Sequence, residues 1–326
     1  MNLKANDFTA TSKNYKNITI IVEDGWLKIN PIDITGNVTL TTQNVVKKYD
    51  DKTYTAGQAT AKDSLGDGSA LTIEYSVDDG KTWTTDYEQI TATNVWDSKT
   101  VQVRVSGSNY TGYVTGTEKL NINPREVTLT SASDEKVYDG TPLTNSAVTV
   151  GGDGFVDGEG AAFTVTGAQT DVDESDNTFG YTLNEGTDER NYAITKTEGK
   201  LKVTPVTDQV TVTITEHNGK VTYDGKEHTV TGYDVTAISN KLYTADNFTF
   251  SGEATVKGTD VGVYGMELKP ADFKNTSANF TNVVFIIVDG KLEIAKRTVI
   301  LTSASAEKVY DGTPLTNRTV KVTGDG

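Results

Sequence analysis

Oxygen-bearing side chains alternate through Asp171-x-Asp173-x-Ser175-x-Asn177, a spacing that in a loop can wrap a calcium ion. The sixth position, where a calcium loop turns on glycine, is Asp176, and no helical pattern flanks the stretch. The equivalent place further on reads Asp260–Val261–Gly262–Val263, without the ligands. A plain acidic loop is the favoured reading, with calcium as the sharper alternative. Asp153, Asp157 and Glu159 form a second acidic loop, read the same way. His217 and His228 are the only histidines, and there is no cysteine. A zinc site and a Ser/His/Asp triad both lack their parts. Carboxylates are abundant, yet none stands in a distinctive aromatic setting of the kind a glycosidase cleft would need. No catalytic residue and no cofactor is assigned. Trp83 and Trp96, with Tyr87, are the candidate ligand-contact aromatics, and Trp26 is the remaining tryptophan. Gathered on one exposed face they would suit a carbohydrate; buried or scattered they would not.

What must position these residues is a repeat. Lys136–Asn145 (KVYDGTPLTN) returns letter for letter at Lys308–Asn317. The copies extend back to Arg125 and Arg297, differing only at Glu126/Thr298, Thr128/Ile300 and Asp134/Ala306. A weaker copy is Val221–Val230, and a decayed one is Lys48–Thr55, with Asp51 where the turn glycine should be. Such internal repetition predicts an array of related modules. Each repeat centres on Tyr138–Asp139–Gly140, Tyr223–Asp224–Gly225 or Tyr310–Asp311–Gly312. These read as turns: glycine takes a left-handed conformation, aspartate bonds local backbone, and the tyrosine ring packs inward with its hydroxyl at the edge. A ligand-contacting Tyr/Asp pair is the competing reading, disfavoured because the motif recurs wherever a module starts.

A second landmark ends each module: DGWLKINP at 24–31, TEKLNINP at 117–124, EGKLKVTP at 198–205 and DGKLEIAK at 289–296. Apolar residues alternate within it, as in Leu201/Val203 and Leu292/Ile294, the period of a strand with one buried face. Asp289–Gly290, between two β-rich runs, predicts a closing hairpin with a type I′ turn. The boundaries follow. Residues 1–31 are the end of one repeat, 32–124, 125–206 and 207–296 are whole repeats, and 297–326 begins another. In 125–206 the expected strands are 126–132, 146–150, 162–168, 178–184, 191–196 and 200–204. Pro31, Pro124 and Pro205 sit at joints that have no Gly/Ser spacer, which predicts a stiff, elongated rod.

The run KVYDGTPLTN, then the stretch from Gly151 to Leu183, then NYAITKTEGKLKVTP resembles the YDG/MBG-type tandem repeats of large cell-surface adhesin-like proteins of Gram-positive gut bacteria. Repeat 125–206 carries the whole pattern and 297–326 its start. Repeat 207–296 keeps Tyr223–Asp224–Gly225, Asn279–Phe280 and the ending strands. Repeat 32–124 is the most diverged; its EYSVDDGKTW (74–83) is similar to related immunoglobulin-like repeats. The resemblance implies a structural or adhesive role without enzymatic activity.

Composition is consistent with this. The chain has 326 residues, 35% hydrophobic and 23% charged, which suits small all-β modules with modest cores. Its net charge of −15 disfavours nucleic acid and anionic lipid as partners. Absence of cysteine fits a bacterial surface protein, and a cytosolic one is also allowed. The first residues do not read as a signal peptide, and no apolar run is long enough to span a membrane. Residues 3–29 align with 268–294, so the chain is expected to begin and end inside repeats, with export signal and anchor outside it. The sequence thus predicts an all-β tandem array of small immunoglobulin-like β-sandwich modules, with β-grasp modules as the alternative. The expected function is a stalk that projects a distal binding domain from a bacterial cell. The alternative is direct binding of host mucin glycans, a host protein or another surface protein. Because the end pieces lack most of their partners, they are expected to be disordered or docked, with weak end-to-end self-association.

Overall fold

The computed structural model describes residues 2–66 and 70–325. It is all-β. The only helical elements among the described residues are six three-residue 3-10 turns, so no helix lies across a sheet as a β-grasp module requires. Each whole repeat is instead a small sandwich of immunoglobulin-like layering. By proximity the chain divides into two compact units: residues up to Leu129 with 150–162 and 182–196, and residues 130–149 and 163–181 with 197 onward. The division runs through repeat 125–206. The joints at 124/125 and 206/207 each lie inside one unit, because each buries side chains from both of its neighbours.

Repeat 207–296 shows the plan. Val210–Glu216 is the centre of a sheet, antiparallel to Tyr233–Ile238 and parallel to Val283–Val288. After a bend, Gly219–Thr222 continues in a second sheet, parallel to Lys291–Ala295, which is itself antiparallel to Gly262–Gly265. Val212 and Ile214 from the first sheet meet Leu292 and Ile294 from the second, with Phe273 and Phe285 between, and all are buried. Alternation produces this: in Val210–Glu216 every second residue is buried. The opening chain therefore serves both sheets, and so does the closing chain.

That arrangement corrects two expectations. Asp289–Gly290 is not a hairpin, since the strands on either side of it belong to different sheets. Gly290 has no positive φ; a Cβ there would run into the carbonyl oxygen of His217. Period-two alternation identifies a strand but not its partner, and two residues suffice for a corner between sheets as well as for a turn. Likewise Asp173–Asp176 is a strand, antiparallel to Lys200–Thr204, and Asp134–Val137 lies parallel on the other side. Neither is among the strands expected from the sequence, because both are mostly charged and exposed. The other strands of this repeat, 125–131, 148–152, 161–165, 179–183, 192–197 and 200–204, lie within a few residues of their expected places.

The corner carries its own polar chemistry. In repeat 207–296 Glu216 is buried and accepts the N–H groups of Leu268 (2.7 Å) and Gly290 (2.8 Å). In repeat 125–206 the equivalent residue is Ser131. Its hydroxyl accepts Gly199 N–H (2.9 Å) and donates to the carbonyl of Asn177 (2.6 Å). In repeat 32–124 the acid has changed chains. Glu118 occupies the place of Gly199 and Gly290, and its carboxylate accepts Gln43 N–H at 3.2 Å. Burial pushes the Glu118 carboxyl above its usual value. In repeats 125–206 and 207–296 both chains bend between sheets, and a buried acceptor on the opening chain satisfies backbone donors that the bend withdraws from the ladders. In repeat 32–124 Val114–Asn123 is one unbroken strand, and Glu118 serves the bend of the opening chain between Val38–Thr41 and Val45–Lys48.

Residues 2–31 contain no strand among the described residues, and Trp26, Leu27 and Ile29 are exposed. The ending strand expected at 24–31 is absent there, as no ladder partner lies beside it. At the other end Val299–Ser303 pairs antiparallel with Val320–Gly324, and Val309 and Tyr310 are exposed.

Candidate functional site

The YDG turns hold their geometry through backbone and aspartate. Gly140, Gly225 and Gly312 have φ of +78°, +76° and +78°. Asp139 accepts Thr141 N–H (2.9 Å) and Lys136 Nζ (2.6 Å); Asp311 makes the same pair with Thr313 and Lys308. These bonds hold Asp139 well below the usual carboxylate range and Asp311 at about 2, the lysine contributing first in each. Asp224 accepts Lys226 N–H and faces His228 Nε2 at 2.8 Å. Asp51, at the glycine position of the diverged repeat, also has positive φ, +60°. An L-residue is strained there, which leads to a paired expectation. Asp51→Gly should raise the stability of repeat 32–124 by up to about 1 kcal/mol. Gly140→Val should cost about 1–3 kcal/mol in its own repeat, since its Cβ would also press on Leu242 at 3.0 Å. Urea midpoints of the two variants should therefore move in opposite directions.

The tyrosines of these turns are not aimed at a ligand cavity. They form joints. Tyr49 is buried, and its ring meets Tyr192 of the next repeat edge-on, with centroids 5.6 Å apart. Tyr138 meets Phe280 of its next repeat in the same way, also at 5.6 Å. The residue before each receiving aromatic is asparagine, and it reaches back into the earlier repeat. Asn191 accepts Val95 N–H (3.0 Å) and donates to Asn94 Oδ1 (2.9 Å). Asn279 accepts Val172 N–H (2.7 Å) and donates to Asp171 Oδ1 (3.0 Å). Each joint is thus one plug, Asn191–Tyr192 or Asn279–Phe280. Each plug seats in one socket: Thr93–Asn94–Val95 with Tyr49, or Thr170–Asp171–Val172 with Tyr138.

The first joint has extra polar ties. Glu159 accepts the hydroxyls of both Tyr49 and Tyr192 at 2.6 Å, and Phe155 packs on Tyr192. Asp153 accepts Lys48 Nζ (2.6 Å) and Glu126 N–H, while Arg125 donates to the carbonyls of Tyr49 and Gly154. The acidic loop 153–159 is therefore part of the joint. Burial, and then the bond to Glu159, push Tyr192 up to about 12 and Tyr49 above its usual value. A phenol with a raised folded pKa favours the folded state fully below its unfolded pKa of about 10, and that contribution is lost as pH climbs toward the folded value. Stability of the first joint should accordingly fall between about pH 10 and pH 12. Tyr49→Phe/Tyr192→Phe should flatten that part of the profile, read as urea midpoint against pH.

The other predicted sites come apart. Asp171, Asp173, Ser175 and Asn177 do not form a calcium loop. Asp171 is bonded to Asn279 and Asp173 and Ser175 lie on a strand. Asn177 is fully buried, its amide donating to the carbonyls of Ala132 and Asn145. Side chains along a strand repeat about every 6.6 Å and cannot converge on ligand distances of about 2.3–2.6 Å. Among the described residues no group of three or more His, Asp or Glu side chains is placed to hold a metal. His217 contacts the carbonyl of Thr231 and Asp234, apart from the His228–Asp224 pair.

The candidate aromatics are not gathered. Trp83 stacks on the Arg104 guanidinium (4.0 Å), which also lies over Tyr113 (4.5 Å) and bonds Glu74 (2.7 Å). Trp96 is 43% exposed and stacks on Arg190, which is paired with Asp188. Tyr87 lies against Tyr75. An open groove of about 510 Å³ runs beside Trp83, along Gln102, Val103, Thr115, Gly116 and Thr117. No helix among the described residues is long and apolar enough to cross a membrane.

No protein-family model matches the chain, and no curated protein is a significant relative. Among solved structures the chain is similar to SGBP-B of the Bacteroides ovatus mixed-linkage glucan utilization locus, in complex with a mixed-linkage heptasaccharide. There the identity is 13%, the cover 88% of this chain and 75% of that one, and the TM-score 0.19. It is similar to the titin I-band fragment I67–I69 at 10% identity, covering 84% and 98%, TM-score 0.20. It is also similar to extracellular domains 3–5 of Drosophila OTK at 11% identity, covering 79% and 99%, TM-score 0.20. Likeness at this level assigns neither ligand nor partner.

Proposed function

We propose that this chain is a non-enzymatic spacer: a segment of a bacterial cell-surface adhesin that holds a distal binding domain away from the cell. The observation that carries the reading is the repeated joint. The residues that define the repeat, the YDG tyrosine and the Asn-aromatic dipeptide, are consumed in fastening one module to the next. The resemblance to YDG/MBG-type repeats and the spacer-free prolines support the same role and an extracellular location. A screen of the chain on glycan arrays and immobilised mucin should return nothing above background. Calcium in the millimolar range should leave the melting temperature in place, since only an ion that binds the folded state raises it. Saturable binding of a glycan would replace this reading with the second one, in which the groove beside Trp83, Arg104 and Tyr113 takes a sugar. Loss of that binding in Trp83→Ala would locate it.

A further inference from the structure

In each of the repeats 32–124, 125–206 and 207–296 the opening chain and the ending strand run side by side and parallel over four residue pairs. Val45–Lys48 lies along Leu120–Asn123, Asp134–Val137 along Leu201–Thr204, and Gly219–Thr222 along Leu292–Ala295. The same two bonds bracket each ladder. Just before it, a short polar side chain of the opening chain accepts a backbone N–H of the ending strand: Asn44 from Lys119 (2.8 Å), Ser133 from Lys200 (2.9 Å) and Asn218 from Lys291 (3.0 Å). Just after it, the motif tyrosine donates its own backbone N–H to the last carbonyl of the ending strand: Tyr49 to Asn123 (2.9 Å), Tyr138 to Thr204 (2.8 Å) and Tyr223 to Ala295 (2.9 Å). Between the brackets, Leu120 and Ile122, Leu201 and Val203, and Leu292 and Ile294 are buried, so no ladder can slide without dragging side chains out of a core. In repeat 207–296 the first sheet adds six parallel pairs, Val210–Thr215 along Val283–Val288.

This pattern holds where other features drift. Repeat 32–124 has Asp51 at the turn glycine and its corner acid on the other chain, yet it keeps both brackets. The direction of the strands sets what tension does to them. The chain enters a repeat at the N-terminal end of its opening chain and leaves at the C-terminal end of its ending strand. A pull on those two ends draws parallel neighbours past one another, so the bonds between them carry load together. A pull on adjacent ends would instead open the ladder one pair at a time.

We infer that the bracketed parallel ladder is a load-bearing clamp, by which each repeat resists tension along the chain in shear. The source of the pull, a gripped distal domain, rests on the proposed spacer role. The resistance is a property of the fold, so a force measurement and a glycan screen can fail independently.

Optical-tweezers measurements on the full chain test the clamp of repeat 207–296. The chain has no cysteine, so handles couple only to introduced ones. Asp208→Cys/Lys296→Cys loads the opening chain against the ending strand, and Lys226→Cys/Lys296→Cys pulls on their adjacent ends. The three positions are exposed, and urea midpoints of both double variants should match that of the unaltered chain. At one loading rate the first pair should rupture at a force at least about twofold above the second, because the four pairs must fail together. Asn218→Ala removes the bracket at the far end of the ladder. It should lower the force in the first geometry and leave the second unchanged, since peeling starts at the Tyr223 bracket. Equal forces in the two geometries, or an Asn218→Ala variant that ruptures in the first geometry at the unaltered force, would overturn the clamp.

Discussion

Glu216→Ala is expected to lower the stability of repeat 207–296 by about 2–5 kcal/mol, because it strands two buried backbone donors at once. Leu268 N–H and Gly290 N–H both point at this carboxylate, at 2.7 and 2.8 Å, where no water reaches it. Each unsatisfied donor costs about 1–3 kcal/mol, and the truncation opens space as well. Glu216→Gln keeps one acceptor oxygen and should lose less. Glu227→Ala, at an exposed ion pair with Lys257, is the control and should move the midpoint by no more than about 0.5 kcal/mol. Urea unfolding followed by tyrosine fluorescence and by hydrogen exchange of peptides from 207–296 would measure all three. If Glu216→Ala behaves like the surface control, the corner is not held by this carboxylate.

Phe280→Ala should cost about 3–5 kcal/mol, the range for emptying a buried phenylalanine site. Phe280 is 2% exposed and meets Tyr138 at 5.6 Å and Tyr243 at 5.2 Å, so the loss falls both on its own core and on the joint. Tyr138→Ala should cost less, since that ring is only partly buried. The diagnostic quantity is the coupling between the two. A double-mutant cycle should return about 0.5–1.5 kcal/mol of interaction energy. Asn279→Ala should add to the picture with about 1–3 kcal/mol, since Val172 N–H loses its acceptor. Purely additive effects of Tyr138→Ala and Phe280→Ala would show that the ring contact does not fasten the repeats.

Much of the architecture was written in local pattern. Alternation such as Val210–Glu216 marks strands, because the pleat alone decides which side chains face inward. The YDG glycines announce left-handed turns because few other residues accept that φ. Copying of whole segments announces repeats. The charged strands 134–137 and 173–176 escaped notice because their partners, not their side chains, make them strands. The Asp289–Gly290 hairpin was misread for a related reason. Alternation carries no information on which sheet a strand will join, and only the packed sandwich sends 283–288 and 291–295 to different layers. The Asp171–Asn177 spacing suggested a metal because one-dimensional spacing treats an extended strand and a closed loop alike.

The joints were half visible. Tyr138 and the Asn279–Phe280 dipeptide stood out as repeated residues, yet they lie far apart in the chain, and nothing local says that one receives the other. The signal that could have paired them was recurrence in step: Tyr49 is followed in the next repeat by Asn191–Tyr192 and Tyr138 by Asn279–Phe280, although repeat 207–296 holds a second such dipeptide, Asn247–Phe248. The corner acid shows the same limit, as Glu216 in one repeat and Glu118 in another sit on different chains beside the bend of the opening chain. The sequence by itself determined the alternating strands and the left-handed glycine turns, which depend on neighbours a few residues away, and its copied segments marked the repeats. Only the tertiary structure decided sheet membership, corner chemistry and the plug-and-socket joints, because these depend on residues brought together across a whole module.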